Sequence, residues 1–379
     1  MNPTYSSTPK VLLLGDYSNC HRTLAKGLRN LGCDVTQASN GSNWMNCERQ
    51  IDLSRKPGKM GGLKLYWRLQ FGDLKRFMKG FDIVAIHDPN FVELRPERLR
   101  PLFTKLCHEN GSVFLTSMST DIAYLDIVSP PGSPLRYSEW FVGEIPSRMY
   151  QANPAKYAEW HAPALANYQR EVFSKLNGAV SVLYEYQLGM EKILGKEKAG
   201  YGGIPIDTSL FQPVKLPEKI DKVKLFLGRD RTRKLMKGSD LLELAARRVV
   251  ERYPDKAELT IVENRTFSEF IALLKKAHVV LDQIYSYTPA STALMAMSYG
   301  LNVVSGAEPE YYDFIGEHNN HPTINAPIHL DPLTETLEQI VLNPHLIKER
   351  GRHSREFVEK HNDVNIVAKR FLNFWLTHI

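Results

Sequence analysis

Short unbroken apolar runs alternate with stretches of helical spacing along most of the chain. Val11 to Leu14 is one such run, the pattern of a strand covered on both faces. Gly15 and Asp16 supply a turn, Leu24, Leu28 and Leu31 recur at helical spacing, and Gly32 ends the helix before a second strand opens at Asp34. Phe81 to Asp88 and Val113 to Leu115 repeat the apolar signal, and a helix around Asn167 to Leu176 leads into a strand at Ala179 to Leu183. The same alternation returns later with strands at Lys224 to Leu227, Leu259 to Val262, Val279 to Leu281 and Asn302 to Ser305. Between them the spacing predicts helices from Leu241, over Phe267 to Ala277, and from near Pro289. Three more follow at Pro332 to Leu342, Pro344 to Lys360 and Val364 to Leu376, the last carrying Phe371, Phe374 and Trp375. Strand-helix alternation of this kind predicts α/β domains with parallel sheets, whose ligands collect at the carboxyl ends of the strands.

Two stretches interrupt the alternation. From Ser129 to Ala164 the chain is rich in proline and aromatics, with Glu139 and Glu144 among them. It reads either as a cradle for a sugar-like acceptor or as a satellite core beneath a long loop. The segment after Gly200 is rich in Gly and Pro and without periodicity. It places a linker at residues 210–221, between an N-terminal domain at 1–209 and a second at 222–360, with a final helix at 361–379.

A length of 379 residues suits two such domains. Hydrophobic content of 43% with 24% charged residues excludes a disordered chain. The formal charge of +6 fits an anionic ligand or membrane surface and carries no nucleic-acid signature. Cys20, Cys33, Cys47 and Cys107 lack C-x-x-C pairing, which argues against a disulfide scaffold or a zinc site and suits a reducing cytoplasm. The lead Met1 to Lys10 has no signal-peptide pattern, and no apolar run reaches the length of a membrane span. The stretch Gly62 to Lys79 mixes aromatics with five cations. It reads as a basic helix resting on anionic lipid or, in the reading favoured here, as a surface helix with Leu65, Leu69 and Phe77 turned inward.

Candidate chemistry sits at strand ends. Gly15 allows close backbone approach, while His87 and Asp88 close one strand and Asp121 follows another. Arg229, Arg231, Arg233, Lys234 and Lys237 crowd the turn after the Lys224 strand. Arg grips phosphate oxygens bidentately and Lys offers a compact charge, so the crowding points to an anion. In Val279 to Gly306, Pro289 suits a first helical turn, and Ala290, Ser291 and Thr292 place free amides and hydroxyls at a helix N-terminus.

Taken in order, these segments resemble the retaining family-4 glycosyltransferases of GT-B architecture. FDIVAIHD is similar to that family's strand ending in His, and GGIPIDTSLFQP to its segment ahead of the second domain. GRDRTRKLMKGSD resembles its G-R-x(n)-K-G turn, and ALMAMSYGLNVVSG its E-A-M-A-x-G-x-P-V-V block. The resemblance implies two Rossmann-like domains with a cleft between them and a C-terminal helix returning to the first. It implies a nucleotide diphosphate-sugar donor, a glycan or lipid-linked acceptor, no metal or other cofactor, and no nucleic acid. Arg229 and Lys237 would neutralise the leaving diphosphate, the amides of Ala290 to Thr292 would bind the phosphates, and Asp121 would orient acceptor or sugar. His87, Asp282 and Tyr287 are candidates for sugar or ribose contacts. The family's Glu-x7-Glu pair falls on Tyr287 and Met295, and its loop His on Met118. These departures leave a second possibility, an inert donor-binding relative. A third, a nucleotide-sugar epimerase of the same fold, has no carboxylate set to favour it. The expected location is cytoplasmic, with peripheral contact at the inner membrane face left open.

Overall fold

The computed structural model describes residues 8–42, 45 and 47–379. Most of the polar lead, Met1 to Ser7, lies outside the described residues. In chain order the strands are β1 (Lys10–Leu14), β2 (Asp34–Ser39), β3 (Ile51–Asp52), β4 (Ile83–Ile86), β5 (Ser112–Ser117), β6 (Phe141–Val142), β7 (Ile145–Pro146), β8 (Gly178–Ser181) and β9 (Ala199–Tyr201). They continue with β10 (Val223–Gly228), β11 (Ala257–Val262), β12 (Val279–Leu281), β13 (Asn302–Ser305) and β14 (Ile324–Asn325). The chain forms two compact units. One comprises Met1–Ile127, Ala155–Pro205 and Val364–Ile379, and the other Val128–Pro154 and Ile206–Asp363.

The first unit is built on a parallel sheet of order β3-β2-β1-β4-β5-β8-β9. Val11 to Leu14 and Ile83 to Ile86 are fully buried, which is why these strands read as unbroken apolar runs. Because the register pairs Leu14 with Ile86 and Ile86 with Leu115, the chain leaves all three strands at one edge of the sheet. The terminal helix Val364–Leu376 lies along the helix Cys20–Asn30. A Cβ on Gly27 would come within 2.4 Å of the Val364 carbonyl, so glycine sets the closeness of that crossing. Phe371 and Trp375 continue the stripe of Val364 and Ala368 and are fully buried, with Phe371 alone worth about 1.5–3 kcal/mol of burial.

The second unit holds a parallel sheet of order β11-β10-β12-β13-β14. Its core runs through Val223, Leu225, Leu227, Leu242, Val249, Leu281, Val304 and Leu337. The proline- and aromatic-rich stretch supplies the hairpin β6-β7, and Leu135, Tyr137, Trp140 and Phe141 are buried within this unit. Their burial is what a satellite core beneath the loop requires.

The basic stretch divides at Gly72 into the helix Lys59–Gln70 and a 3-10 turn at Asp73–Met78. Leu65 and Leu69 are buried as expected. Phe77 is exposed instead, because the break at Gly72 resets the phase and turns Leu74 and Met78 inward. Among the described residues no helix is long and apolar enough to cross a membrane. All four cysteines are free.

Candidate functional site

In the first unit, several polar groups collect where β1, β4 and β5 end. Gly15 has a left-handed φ of 81°, and a Cβ there would lie 1.8 Å from His87 Nδ1. The glycine is required because the His87 ring packs on its backbone. Asp16, directly after it, accepts hydrogen bonds from the His21 amide at 3.0 Å and the Arg22 amide at 3.3 Å. Its carboxyl therefore occupies the positive end of the helix Cys20–Asn30, where an outside anion would otherwise sit. Burial pushes its pKa up to about 6, against these stabilising amides.

His21 is fully buried, with Nδ1 2.7 Å from the Gly15 carbonyl and Nε2 2.9 Å from Thr116 Oγ1. A carbonyl can only accept, so Nδ1 carries the proton and Nε2 accepts from the threonine hydroxyl. Burial, then repulsion from His87, lowers its pKa to about 3, and the ring is neutral. His87 is also held below its usual value by burial, and its buried Nδ1 has no hydrogen-bond partner among the described residues. Asp88 accepts from Ser119 Oγ and, at 2.6 Å, from the Asn90 amide. Asp121 is buried, and its Oδ1 accepts from the Tyr124 amide at 2.9 Å, capping the helix Ile122–Val128. Burial, with a smaller contribution from Asp88, raises its pKa to about 7. Asp16, His21 and Ser119 were not singled out from sequence. The one available signal was His21 standing three and seven residues ahead of Leu24 and Leu28, a polar residue on the apolar stripe of its helix.

In the second unit, the site grows from the ends of β10 and β12. Arg229 follows β10, and its guanidinium is gripped by Glu263, just past β11, and by Glu243 on the helix Ser239–Arg252. Arg231 adds a contact to Glu263 at 2.9 Å. Arg229 and then Arg231 hold the Glu263 carboxyl below its usual range. Acids from neighbouring elements thus relieve the crowding at Arg229 and Arg231, for which the sequence alone points to an anionic ligand. Arg229, Arg247, Thr260, Val262, Glu263 and Arg265 line part of a recess of about 400 Å³. Arg233 and Lys234 make no ion pair among the described residues.

Lys237 reaches Asp282, the residue after β12, with Nζ 3.0 Å from Oδ1. Asp282 is buried, and its other oxygen has no hydrogen-bond partner among the described residues. The ammonium has three donors, so this pair leaves it two more. Gly238 closes the turn with φ of 68°, and a Cβ there would meet Ile284 Cγ1 at 2.2 Å. That close approach lets the Ile284 amide donate to the Lys237 carbonyl at 2.9 Å, tying the two strand ends together.

The helix Ser291–Ser298 begins after Ala290, and no side chain caps it. The amide of Leu294 is bonded to the Ala290 carbonyl at 3.0 Å, leaving those of Ser291, Thr292 and Ala293 as the first-turn donors. Tyr287 is buried, its hydroxyl accepting from the Arg136 amide at 2.6 Å and its ring 5.1 Å from that of Tyr137. Arg136 in turn bonds Glu308 and, at 2.6 Å, Glu310. Met295 is buried as well. The two positions that would hold carboxylates in the resembled family are therefore an occupied phenol and a thioether. Lys237 and Asp282 are brought into direct contact, a pairing not foreseen from sequence. Gly15, His87 and Asp121 belong to the first unit, and Arg229, Lys237, Asp282, Tyr287 and Ala290 to Thr292 to the second. Among the described residues no three His, Cys, Asp or Glu side chains are grouped so as to hold a metal ion.

The sequence matches no protein-family model and no curated protein at a significant level. Among solved structures the chain is similar to sucrose-phosphate synthase from Thermosynechococcus elongatus, with 13% identity and a TM-score of 0.60 over 98% of this chain and 99% of that one. It is similar to Anabaena HepE in complex with UDP and glucose, with 12% identity and a TM-score of 0.59 over 97% of this chain and 100% of that one. It is also similar to a Listeria monocytogenes protein assigned as a UDP-N-acetylglucosamine 2-epimerase, with 12% identity and a TM-score of 0.53 over 97% and 95% of the two chains. At these identities the likeness establishes the fold, two Rossmann-like parallel-sheet domains of the GT-B type.

Proposed function

We propose that the chain is a glycosyltransferase that moves a sugar from a nucleotide diphosphate donor to a hydroxyl of a glycan or lipid-linked acceptor. The observation that carries this reading is Lys237 at one strand end of the second unit, together with the uncapped helix Ser291–Ser298 in the same unit. A departing diphosphate gains negative charge in the transition state. An ammonium held by Asp282 and a row of first-turn amides are fixed groups that stabilise such charge without reorganising. The bond from the anomeric carbon to the donor phosphate breaks as that carbon bonds the acceptor oxygen, and the acceptor proton passes to the released phosphate. The acceptor attacks from the face that the diphosphate leaves, so the proposed reaction retains configuration without a side-chain nucleophile, and the fixed ammonium and amides serve in place of a metal. HepE, of the same fold, is recorded with UDP and glucose, which supports a nucleotide-sugar donor.

A second reading, an inert donor-binding relative, is favoured by one set of observations. Tyr287 and Met295 stand where carboxylates are expected, and Arg229 is already held by two glutamates. Incubation with a panel of UDP-, GDP-, ADP- and TDP-sugars separates the readings. Release of nucleoside diphosphate with transfer of the sugar supports the transferase. Binding without turnover on any acceptor supports the inert relative. Conversion of the sugar while it remains on its nucleotide supports an epimerase. Failure to bind any nucleotide overturns all three.

A further inference from the structure

We propose that the outward face of the helix Lys59–Gln70 is a docking surface for an anionic lipid bilayer. Met60, Leu63, Trp67 and Phe71 recur at spacings of three and four, which places them on one stripe. They are 76%, 44%, 58% and 65% exposed. The opposite stripe, Gly62, Leu65 and Leu69, is buried against the core of the first unit. This helix is therefore apolar on two opposed faces, and only one of them is used in folding. A stripe of four large apolar side chains open to water is costly unless something covers it.

The charge around the stripe says what covers it. From Lys56 to Lys79 the chain carries seven Lys or Arg and one Asp, a net of +6. That equals the net charge of the whole chain, so every other residue together balances 41 cations with 41 acids. Arg68 pairs with the single acid, Asp73, at 2.8 Å. Lys56, Lys59, Lys64, Lys75, Arg76 and Lys79 are all exposed, and none makes an ion pair among the described residues. Protein interfaces are depleted of lysine at their centres, whereas an anionic headgroup layer attracts clusters of it. Trp67 has the amphipathic ring that settles at the boundary between headgroups and acyl chains. Met60, Leu63 and Phe71 would enter the acyl boundary beside it, with the lysine stems lying along the surface and their ammonium groups at the phosphates.

Co-sedimentation with vesicles tests this directly. The protein is expected to bind phosphatidylcholine vesicles containing phosphatidylglycerol, at least about tenfold more tightly than phosphatidylcholine alone, and to be released by salt. Trp67→Ser/Phe71→Ser and, separately, Lys64→Glu/Lys75→Glu should each weaken binding about tenfold or more. All four side chains are at the surface, so thermal stability should be unchanged and confirms folding. Absence of binding to the mixed vesicles would overturn the proposal, as would binding unaffected by either variant. It would also be overturned by sedimentation velocity showing that the wild type self-associates without lipid while the Trp67→Ser/Phe71→Ser variant is monomeric. In that case a second copy of this chain covers the stripe.

Discussion

Lys237→Ala is expected to lower turnover of the preferred nucleotide sugar by about 10²–10³-fold, the cost of losing one preorganised group at a developing oxyanion. The variant has a second effect that must be separated from the first. Asp282 is buried and Lys237 is its only ion-pair partner among the described residues, so removing the lysine leaves a carboxylate uncompensated. Breaking a buried pair in this way costs about 3–5 kcal/mol. The double variant Lys237→Ala/Asp282→Asn removes both charges and should recover most of the lost stability without recovering turnover. Melting temperature and kcat/KM, measured on the single and double variants, read the two effects independently. A double variant as active as the wild type would remove Lys237 from the chemistry and leave the pair a structural one.

Asp121→Asn is expected to stabilise the protein increasingly as pH rises. Asparagine keeps an oxygen for the Tyr124 amide, so the cap on the helix Ile122–Val128 survives. What changes is the charge. The Asp121 carboxyl is raised from 3.8 to about 7 by burial. Below pH 3.8 it is neutral in folded and unfolded chains alike. Between 3.8 and about 7 the unfolded chain has released the proton and the folded protein retains it, so stability falls with rising pH. Above 7 the full cost of the buried charge remains. At about 1.4 kcal/mol for each tenfold change, the variant should gain about 2–3 kcal/mol on the wild type between pH 5 and pH 8. His21, lowered to about 3, pulls the wild-type profile in the opposite direction below pH 6.5, but it is common to both proteins and cancels in the difference. Denaturant unfolding at the two pH values measures it. A difference that stays flat with pH would show that the Asp121 carboxyl titrates normally.

The features that were legible in the sequence are those set by local pattern. Val279–Leu281, Asn302–Ser305 and Val364–Leu376 occur with the bounds expected, because a strand buried on both faces is apolar throughout and the helix keeps a continuous stripe. What pattern cannot supply is which distant groups neutralise a charge. Arg229 meets Glu243 and Glu263, 14 and 34 residues away, so the cationic turn looked more available than it is. Arg136 meets Glu308 across 172 residues, and through that contact a stretch from the first half of the sequence packs against Tyr287 in the second unit. The helix Lys59–Gln70 shows a related loss. Amphipathic spacing identified one inward face, but a second apolar face opposite it weakens the very periodicity by which either is recognised.

The proposed donor site was legible only in outline. Lys237 and the start of the helix at Ser291 were visible as a Lys-Gly turn and a polar helix N-terminus. The structure adds the Asp282 carboxylate that holds the lysine, and it shows Tyr287 and Met295 both buried, the tyrosine hydroxyl bonded to the Arg136 amide. We propose that nucleotide recognition in this chain rests on the phosphates more than on the ribose. Isothermal titration of the metal-free protein with nucleoside diphosphates, beside the Lys237→Ala/Asp282→Asn variant, tests that directly. Saturable binding of a diphosphate by the wild type, weakened at least about tenfold in the variant, is the predicted result. Equal binding by both proteins, or heat from neither, would contradict it.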